Sequence, residues 1–348
     1  MSQLPSKRPR VDGSDDATEH DGDAAVRIPP VQRSEKFWIE DGNVILHVED
    51  TQFRVHRSML TRHSTIFKDV FSVPPPSSEQ ARDPVLEGCP VVKLSDRAGD
   101  MEQILSIFYD NASFLDLRED IPIGRLAAML RLGKKYDIAY LRDEALKRFR
   151  SEFPTTLEAF DASYGDTRGP SIDYDSPSDL DDISTIICLS QEHGLPSIMP
   201  AACFNLVYYI PPEKILDEAV LPQELRNRCI MGQDHLIRTV HNILFDWTES
   251  ESFMSPDHCT GDHLDGYDRK KVLRELNDGL WLADDGSVWC FSPTLPGNVQ
   301  ETLSNLCASC SESVISYYHA ARKEVWQELP IFFGFRGWED PDLKDFDS

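Results

Sequence analysis

Cysteine and histidine residues in the last third of the chain have the types and spacing that could bind a metal ion. Cys307 and Cys310 form a Cys-x-x-Cys pair, and an earlier segment carries Cys259 and His263. Thiolates and imidazoles are the usual ligands of structural zinc, which takes four of them in a tetrahedron. The sequence therefore suggests a structural zinc site formed by Cys259, His263, Cys307 and Cys310. No other cofactor is expected.

The Cys307/Cys310 pair also has a simpler interpretation. The spacing fits one face of a helix, where thiols behave as small buried apolar groups. A redox role is disfavoured because no βα unit precedes the pair. Zinc binding and buried thiols are therefore both open interpretations of these residues.

Other candidate motifs lack the context that catalysis requires. The acidic cluster Asp179, Asp181 and Asp182 has no glycine-centred calcium loop around it. The stretch Gly279 to Gly286 has neither the strand-turn-helix setting nor the lysine of a phosphate-binding loop. No nucleophile elbow or kinase signature is present. We expect that the protein is not an enzyme.

Residues 43–71 contain the clearest structural pattern of the chain. Val44, Leu46 and Val48 occupy every second position, so their side chains point to one face of a strand. A second alternating run follows a short polar connection, and the two runs together predict a β-hairpin. Ile66, Phe67, Val70 and Phe71 then recur at helical spacing. Ser64 is the predicted N-cap of that helix.

The run FRVHRSMLTRHSTIFKDVF resembles the signature of the BTB/POZ domain. The matching residues, in the order of the family motif, are Phe53, His56, Arg57, Leu60, Ser64, Phe67 and Phe71. The chain is similar in particular to the expanded BTB families of filamentous fungi. The resemblance implies an α+β fold, in which a BTB/POZ domain of a β-hairpin, a short strand and helices precedes an all-α C-terminal extension. It also assigns His56 a structural rather than a catalytic position.

The resemblance further implies a protein–protein interaction module, a scaffold or adaptor that forms a homodimer. Relatives dimerise through their first helices, sometimes with exchange of an N-terminal strand, which residues 32–40 could supply. The interface residues that the resemblance implies are Arg57, Met59, Leu60, Phe67 and Phe71. One departure concerns Asn43, because relatives commonly carry Asp there beside the basic residue, here Arg57. A neutral-to-charged hydrogen bond is expected in its place.

Two alternative functions are compatible with the same resemblance. Some relatives are substrate adaptors of cullin-type ubiquitin ligases and present a hydrophobic-x-Glu element before the third strand, which Val85 and Glu87 loosely match. The second alternative is a nuclear transcription co-regulator. Lys7, Arg8 and Arg10 form a basic cluster typical of nuclear import signals. A chance cluster in a polar tail is the competing interpretation.

Composition restricts the partners. The 348-residue chain is 40% hydrophobic and has a formal net charge of −25, which allows a core but opposes direct contact with nucleic acid. No apolar run reaches the length of a membrane helix, and the N-terminus has no apolar signal region. We therefore expect an intracellular protein of the nucleus, the cytoplasm or both, with reduced cysteines and no membrane contact.

The composition along the chain predicts five segments. A disordered tail with the basic cluster covers residues 1–33, the BTB/POZ domain 34–153, an acidic linker 154–182, a helical C-terminal domain 183–338 and an acidic tail 339–348. Within the BTB/POZ domain, Asp100 and Gln103 fit a capping box. Near the C-terminus, Pro330 is expected to end a helix, and the aromatic residues after it are expected to pack back on the helical domain.

Overall fold

The computed structural model describes residues 31–73, 84–109, 120–163, 172–174, 180–249, 259, 294–295 and 297–345. The described chain begins with a curled five-stranded sheet and continues almost entirely as helices, so the predicted α+β fold is confirmed. None of the described helices combines the length and the apolarity needed to cross a bilayer.

The sheet is built around the predicted hairpin. Its five strands are β1 Gln32–Trp38, β2 Val44–Val48, β3 Thr51–Val55, β4 Val85–Leu86 and β5 Cys89–Leu94. They lie in the order β1-β3-β2-β5-β4. The β2–β3 pair is antiparallel, β1 runs parallel to β3, and β5 runs parallel to β2. The hairpin prediction is therefore confirmed, and β1 adds an edge strand that pairs within the chain.

Both faces of strand β2 are covered, although the alternation predicted only one buried face. Val44 and its alternate residues point into the main core, as expected. Ile45 points the other way and is also fully buried, in a second small cluster with Cys89 and Val91. Cys89 and its neighbours form an antiparallel hairpin of β4 and β5. That hairpin covers the face that would otherwise be exposed.

Five helices complete the BTB-like region. They are α1 Arg57–His63, α2 Thr65–Ser72, α3 Ala98–Tyr109, α4 Ile123–Lys135 and α5 Ala139–Glu152. Ser64 caps α2 as predicted, because its side chain accepts a hydrogen bond from the Phe67 amide at 3.0 Å. The capping box at Asp100 and Gln103 is wrong: α3 begins earlier, and Glu49 Oε2 accepts the Ala98 amide at 2.8 Å. A carboxylate from the β2–β3 turn therefore replaces the local cap.

The second half of the described chain is helical. After α6 Leu157–Ser163 come α7 Leu180–His193, α8 Met199–Tyr209, α9 Pro212–Asp217, α10 Gln223–Glu249, α11 Gly297–Ser304 and α12 Ala308–Phe332. The predicted acidic linker thus contains α6. It also contains the short strand β7 Ile172–Asp173, which pairs with β6 Ile121–Pro122.

Helix α12 packs against residues 155–161, which directly follow the BTB-like region. The Arg322 guanidinium pairs with the Asp161 carboxylate of α6, and Trp326 Nε1 donates to the Thr155 carbonyl at 3.3 Å. The ring of Trp326 stacks on Trp338 with centroids 5.6 Å apart. A continuous hydrophobic core therefore includes residues of both halves.

The C-terminal aromatic residues are packed, as predicted. Phe333 is fully buried, and its ring lies so close to Gly232 of α10 that a Cβ there would come within 2.4 Å. Pro330 does not end the helix where the sequence predicted, because α12 continues to Phe332. In the predicted acidic tail, the Asp345 carboxylate accepts hydrogen bonds from the Ser197 amide and hydroxyl at 2.9 and 3.0 Å. This part of the tail is therefore attached to the helical region.

Candidate functional site

The junction between β3 and α1 is stabilised by a cluster around His56. The His56 amide donates to Tyr109 Oη at 2.9 Å, and His56 Nδ1 lies 3.1 Å from the same oxygen. His56 Nε2 lies 3.2 Å from a carboxylate oxygen of Asp41. Burial, more than any other effect, raises the pKa of the Tyr109 hydroxyl above its ordinary value. The cluster connects the hairpin to α3, which is the structural position that the resemblance assigned to His56.

Asn43 contacts the backbone of Arg57 rather than its side chain. Asn43 Oδ1 accepts a hydrogen bond from the Arg57 amide at 2.8 Å. The guanidinium instead lies 5.2 Å from the ring centroid of Phe71, and its buried Nε has no hydrogen-bond partner within the described residues. The expected bond between Asn43 and the charged group is therefore wrong. Asn43 satisfies one of the free amides at the start of α1, whose N-cap His56 provides no side-chain bond.

The five predicted interface residues have different degrees of burial. Leu60 and Phe67 are almost completely buried in the core of this chain, where a second molecule cannot reach them. This corrects the prediction for those two residues. Arg57, Met59 and Phe71 are half-buried at the surface of α1 and α2.

Helix α2 exposes a second apolar row that the sequence interpretation did not separate from the first. Ile66 is 40% exposed and Val70 is 47% exposed, whereas Phe67 is buried. The pairs Ile66/Val70 and Phe67/Phe71 are both spaced at i and i+4, so they form two adjacent rows on the helix. A helix that packs on the core with one face needs only one apolar row. The second row on α2 is the signal in the sequence that could have distinguished core residues from interface candidates.

The predicted adaptor element lies at the β4–β5 turn. Val85 is 69% exposed, in agreement with a contact role. The Glu87 carboxylate pairs with Arg33 Nη2 at 2.6 Å and with Arg54 Nη1 at 3.5 Å. Glu87 therefore connects the turn to β1 and β3 of its own sheet.

Three of the four predicted metal ligands converge in space. The ligand sulfur atoms of Cys259, Cys307 and Cys310 all lie within 4.8 Å of one another. Cys259 Sγ and Cys307 Sγ are 3.8 Å apart. Cys310 is buried at the start of α12, and burial together with its two thiol neighbours raises its pKa to about 12.

Several predicted residues lie outside the described part of the chain. They are the import candidates Lys7, Arg8 and Arg10 and the ligand candidate His263. The potential calcium cluster is partly outside as well, since Asp179 is not described.

The comparisons with known proteins agree with this geometry. Residues 33–151 match the family model of the BTB/POZ domain. The search of curated proteins found no match. The chain therefore contains a BTB/POZ domain, formed by the sheet and helices α1–α5. This domain belongs to the class of protein–protein interaction modules rather than of catalytic domains.

Proposed function

We propose that the protein self-associates through its BTB/POZ domain and acts as a scaffold or adaptor for other proteins. The observation that carries the proposal is the exposed row formed by Ile66 and Val70 on α2, together with the half-buried Phe71 on the same helix and Met59 on α1. Isolated exposed apolar residues are common on protein surfaces, but a contiguous group of them indicates a contact surface.

A second copy of the chain fits this surface. In a two-fold symmetric dimer each side chain is buried twice, once in each copy. Complete burial of an aliphatic side chain contributes about 1.5–3 kcal/mol, so the half-exposed Ile66 and Val70 would each contribute about 1 kcal/mol per copy. Stable interfaces bury about 1,200–2,000 Å² in total. Helix α2 alone does not supply this area, so the proposed interface also includes α1 and the edge strand β1.

Charge opposes the association over long range. Each copy has a net charge of −25, and salt at physiological concentration screens this repulsion beyond about 8 Å. The apolar contact must therefore provide the stabilisation. Strand β1 pairs with β3 of its own chain, so the proposed dimer does not need strand exchange.

Light scattering of the full chain at micromolar concentration and physiological salt tests this proposal. We expect twice the chain mass for the natural protein and the single-chain mass for Ile66→Glu combined with Val70→Glu. Ile237→Glu is the matched control because Ile237 is 44% exposed, close to Ile66 and Val70, but lies on α10. A monomeric natural protein would contradict self-association, and a dimer that survives the double substitution would place the interface elsewhere.

The exposure of Val85 favours a second candidate function, adaptor of a cullin-type ubiquitin ligase. In this proposal Val85 contacts the cullin, while Glu87 maintains the shape of the turn through Arg33 and Arg54. Co-purification from cells followed by detection of cullins tests it. We expect Val85→Asp to eliminate the cullin without changing the mass measured by light scattering. If no cullin accompanies the natural protein, this second function is wrong while the first one is unaffected.

A further inference from the structure

We propose that Cys259, Cys307 and Cys310 bind a zinc ion that attaches the segment carrying Cys259 to the first turn of α12. This site is independent of the interaction surface proposed above. The three residues come from two distant parts of the sequence, since Cys259 precedes Cys307 by 48 positions. Convergence over this separation cannot result from local helix geometry.

The distance between sulfur atoms agrees with metal coordination. With zinc–sulfur bonds of about 2.3 Å in a tetrahedron, two sulfur ligands lie about 3.8 Å apart. Cys259 Sγ and Cys307 Sγ are 3.8 Å apart, and the third sulfur lies within 4.8 Å of both. A disulfide requires a separation of about 2.05 Å and would use only two of the three thiols.

The local backbone would stabilise the thiolates once a metal ion has displaced the thiol protons. Cys307 is the N-cap residue of α12 and Cys310 lies in the first turn of this helix. The start of a helix carries a partial positive charge, which stabilises thiolates. Cys310 is only 2% exposed, while Cys259 and Cys307 are half-buried, so the cluster lies at the edge of the core. Purely apolar packing of thiols would not require this arrangement.

Zinc is the metal that suits these ligands. Soft thiolate donors select zinc, copper(I) or iron–sulfur clusters, and three cysteines with one further ligand are a common set in structural zinc sites. Each thiol that binds releases its proton to solvent, so three thiolates and Zn²⁺ give a site with one net negative charge. The fourth position of the tetrahedron is open to another ligand, and the inference depends only on the three thiols.

A zinc ion at this place would stabilise the helical half. Helix α12 carries Arg322 and Trp326, which contact Asp161 and Thr155 in the segment that directly follows the BTB-like region. Attaching the first turn of α12 to the Cys259 segment closes a long loop of chain. Structural zinc contributes directly to folding, so loss of the ion should loosen α12.

Metal analysis of the full chain, purified without chelators from zinc-supplemented cells, tests the inference. We expect about one zinc ion per chain by elemental and native mass spectrometry, and a drop of at least about tenfold in Cys307→Ser and Cys310→Ser, since each removes a ligand. Cys188→Ser is the matched control, because Cys188 is a half-buried thiol on α7. This variant should retain its zinc.

A second measurement applies even if the cysteine variants do not fold. Modification of thiols in the natural protein should release zinc to a colorimetric chelator, and chelation alone should lower the Tm. A natural protein that contains almost no zinc and whose Tm is insensitive to chelators would overturn the inference. A disulfide between two of the three cysteines, or equal loss of zinc in Cys188→Ser, would overturn it as well.

Discussion

The Asn43 side chain accepts a hydrogen bond from the Arg57 amide at 2.8 Å and so connects the residue before β2 to the first residue of α1. This bond closes the hairpin-to-helix corner from which the proposed interaction surface extends. The orientation of α1 therefore depends on a side chain that lies just before the other strand of the hairpin.

Asn43→Ala should destabilise the protein by about 1 kcal/mol, because the Arg57 amide loses its acceptor. Asn43→Asp should preserve the bond, and its negative charge at the start of α1 should add about 0.3–1 kcal/mol. Chemical denaturation monitored by circular dichroism measures both changes. Equal stability of the Ala and Asp variants would show that the capping bond contributes nothing.

Glu49 combines a capping bond with backbone strain. Its φ is +50°, in the left-handed region, and its carboxylate accepts the Ala98 amide. Glu49→Ala should cost about 1 kcal/mol, because the cap is lost while the strained backbone remains. Glu49→Gly should be less destabilising by about 1 kcal/mol, since glycine adopts this conformation without the steric penalty. Thermal unfolding compares the two, and a glycine variant less stable than the alanine variant would argue against strain.

Ser64 has two roles at the start of α2. Its hydroxyl accepts the Phe67 amide and donates to the Tyr136 carbonyl at 2.6 Å, and the residue is buried. Ser64→Ala should therefore cost about 2–3 kcal/mol, the sum of a lost cap and a buried carbonyl that loses its donor. Ser72→Ala is the control, because among the described residues its exposed hydroxyl bonds only to the carbonyl of Lys68 in the same helix. Similar losses in the two variants would contradict the role of the Tyr136 contact.

Protonation of His63 should make the BTB-like region less stable as the pH is lowered. Burial and the neighbouring Arg62 lower the pKa of His63 below 6.5 in the folded chain. Its ring stacks on Phe108 with centroids 4.4 Å apart. Between the two pKa values the unfolded chain binds more protons, so stability is lost as the pH falls from 6.5 toward the lower pKa of the folded state.

His63→Phe should retain the stacking on Phe108 and reduce this pH dependence. Denaturation curves at several pH values above and below 6.5 measure the slope. His241→Gln is the comparison, because His241 is exposed on α10. An unchanged slope in His63→Phe would assign the pH dependence to other groups.

The predicted nuclear import signal lies outside the described part of the chain. We expect a fluorescent fusion of the natural protein to accumulate in the nucleus, and the combined change Lys7→Ala, Arg8→Ala and Arg10→Ala to abolish this. Removing Arg142 and Lys147, two exposed basic residues of α5, is the control for loss of charge. Unchanged accumulation in the triple variant would favour a chance basic cluster.

The sequence by itself determined the class of the domain and most of its elements. The hairpin, the cap at Ser64 and helices α1–α5 follow from periodicity and from a motif within residues 53–71, because these signals depend on neighbours along the chain. The same signals predicted the helical second half. They could not predict that β4 and β5 cover the second face of β2. The segment that leads into these strands has the composition of a loop and shows no regular alternation of apolar residues.

Only the tertiary structure decided what depends on residues far apart in sequence. Glu49 caps a helix that begins at Ala98, and the side chain of Asn43 binds the backbone of Arg57 instead of its guanidinium. Stacking on Tyr136 and packing in the main core buried Phe67 and left Val70 exposed, although both belong to one apolar pattern. The meeting of three cysteine sulfurs likewise required the folded path of the chain. Spacing specifies which groups could interact, and the three-dimensional path specifies which of them do.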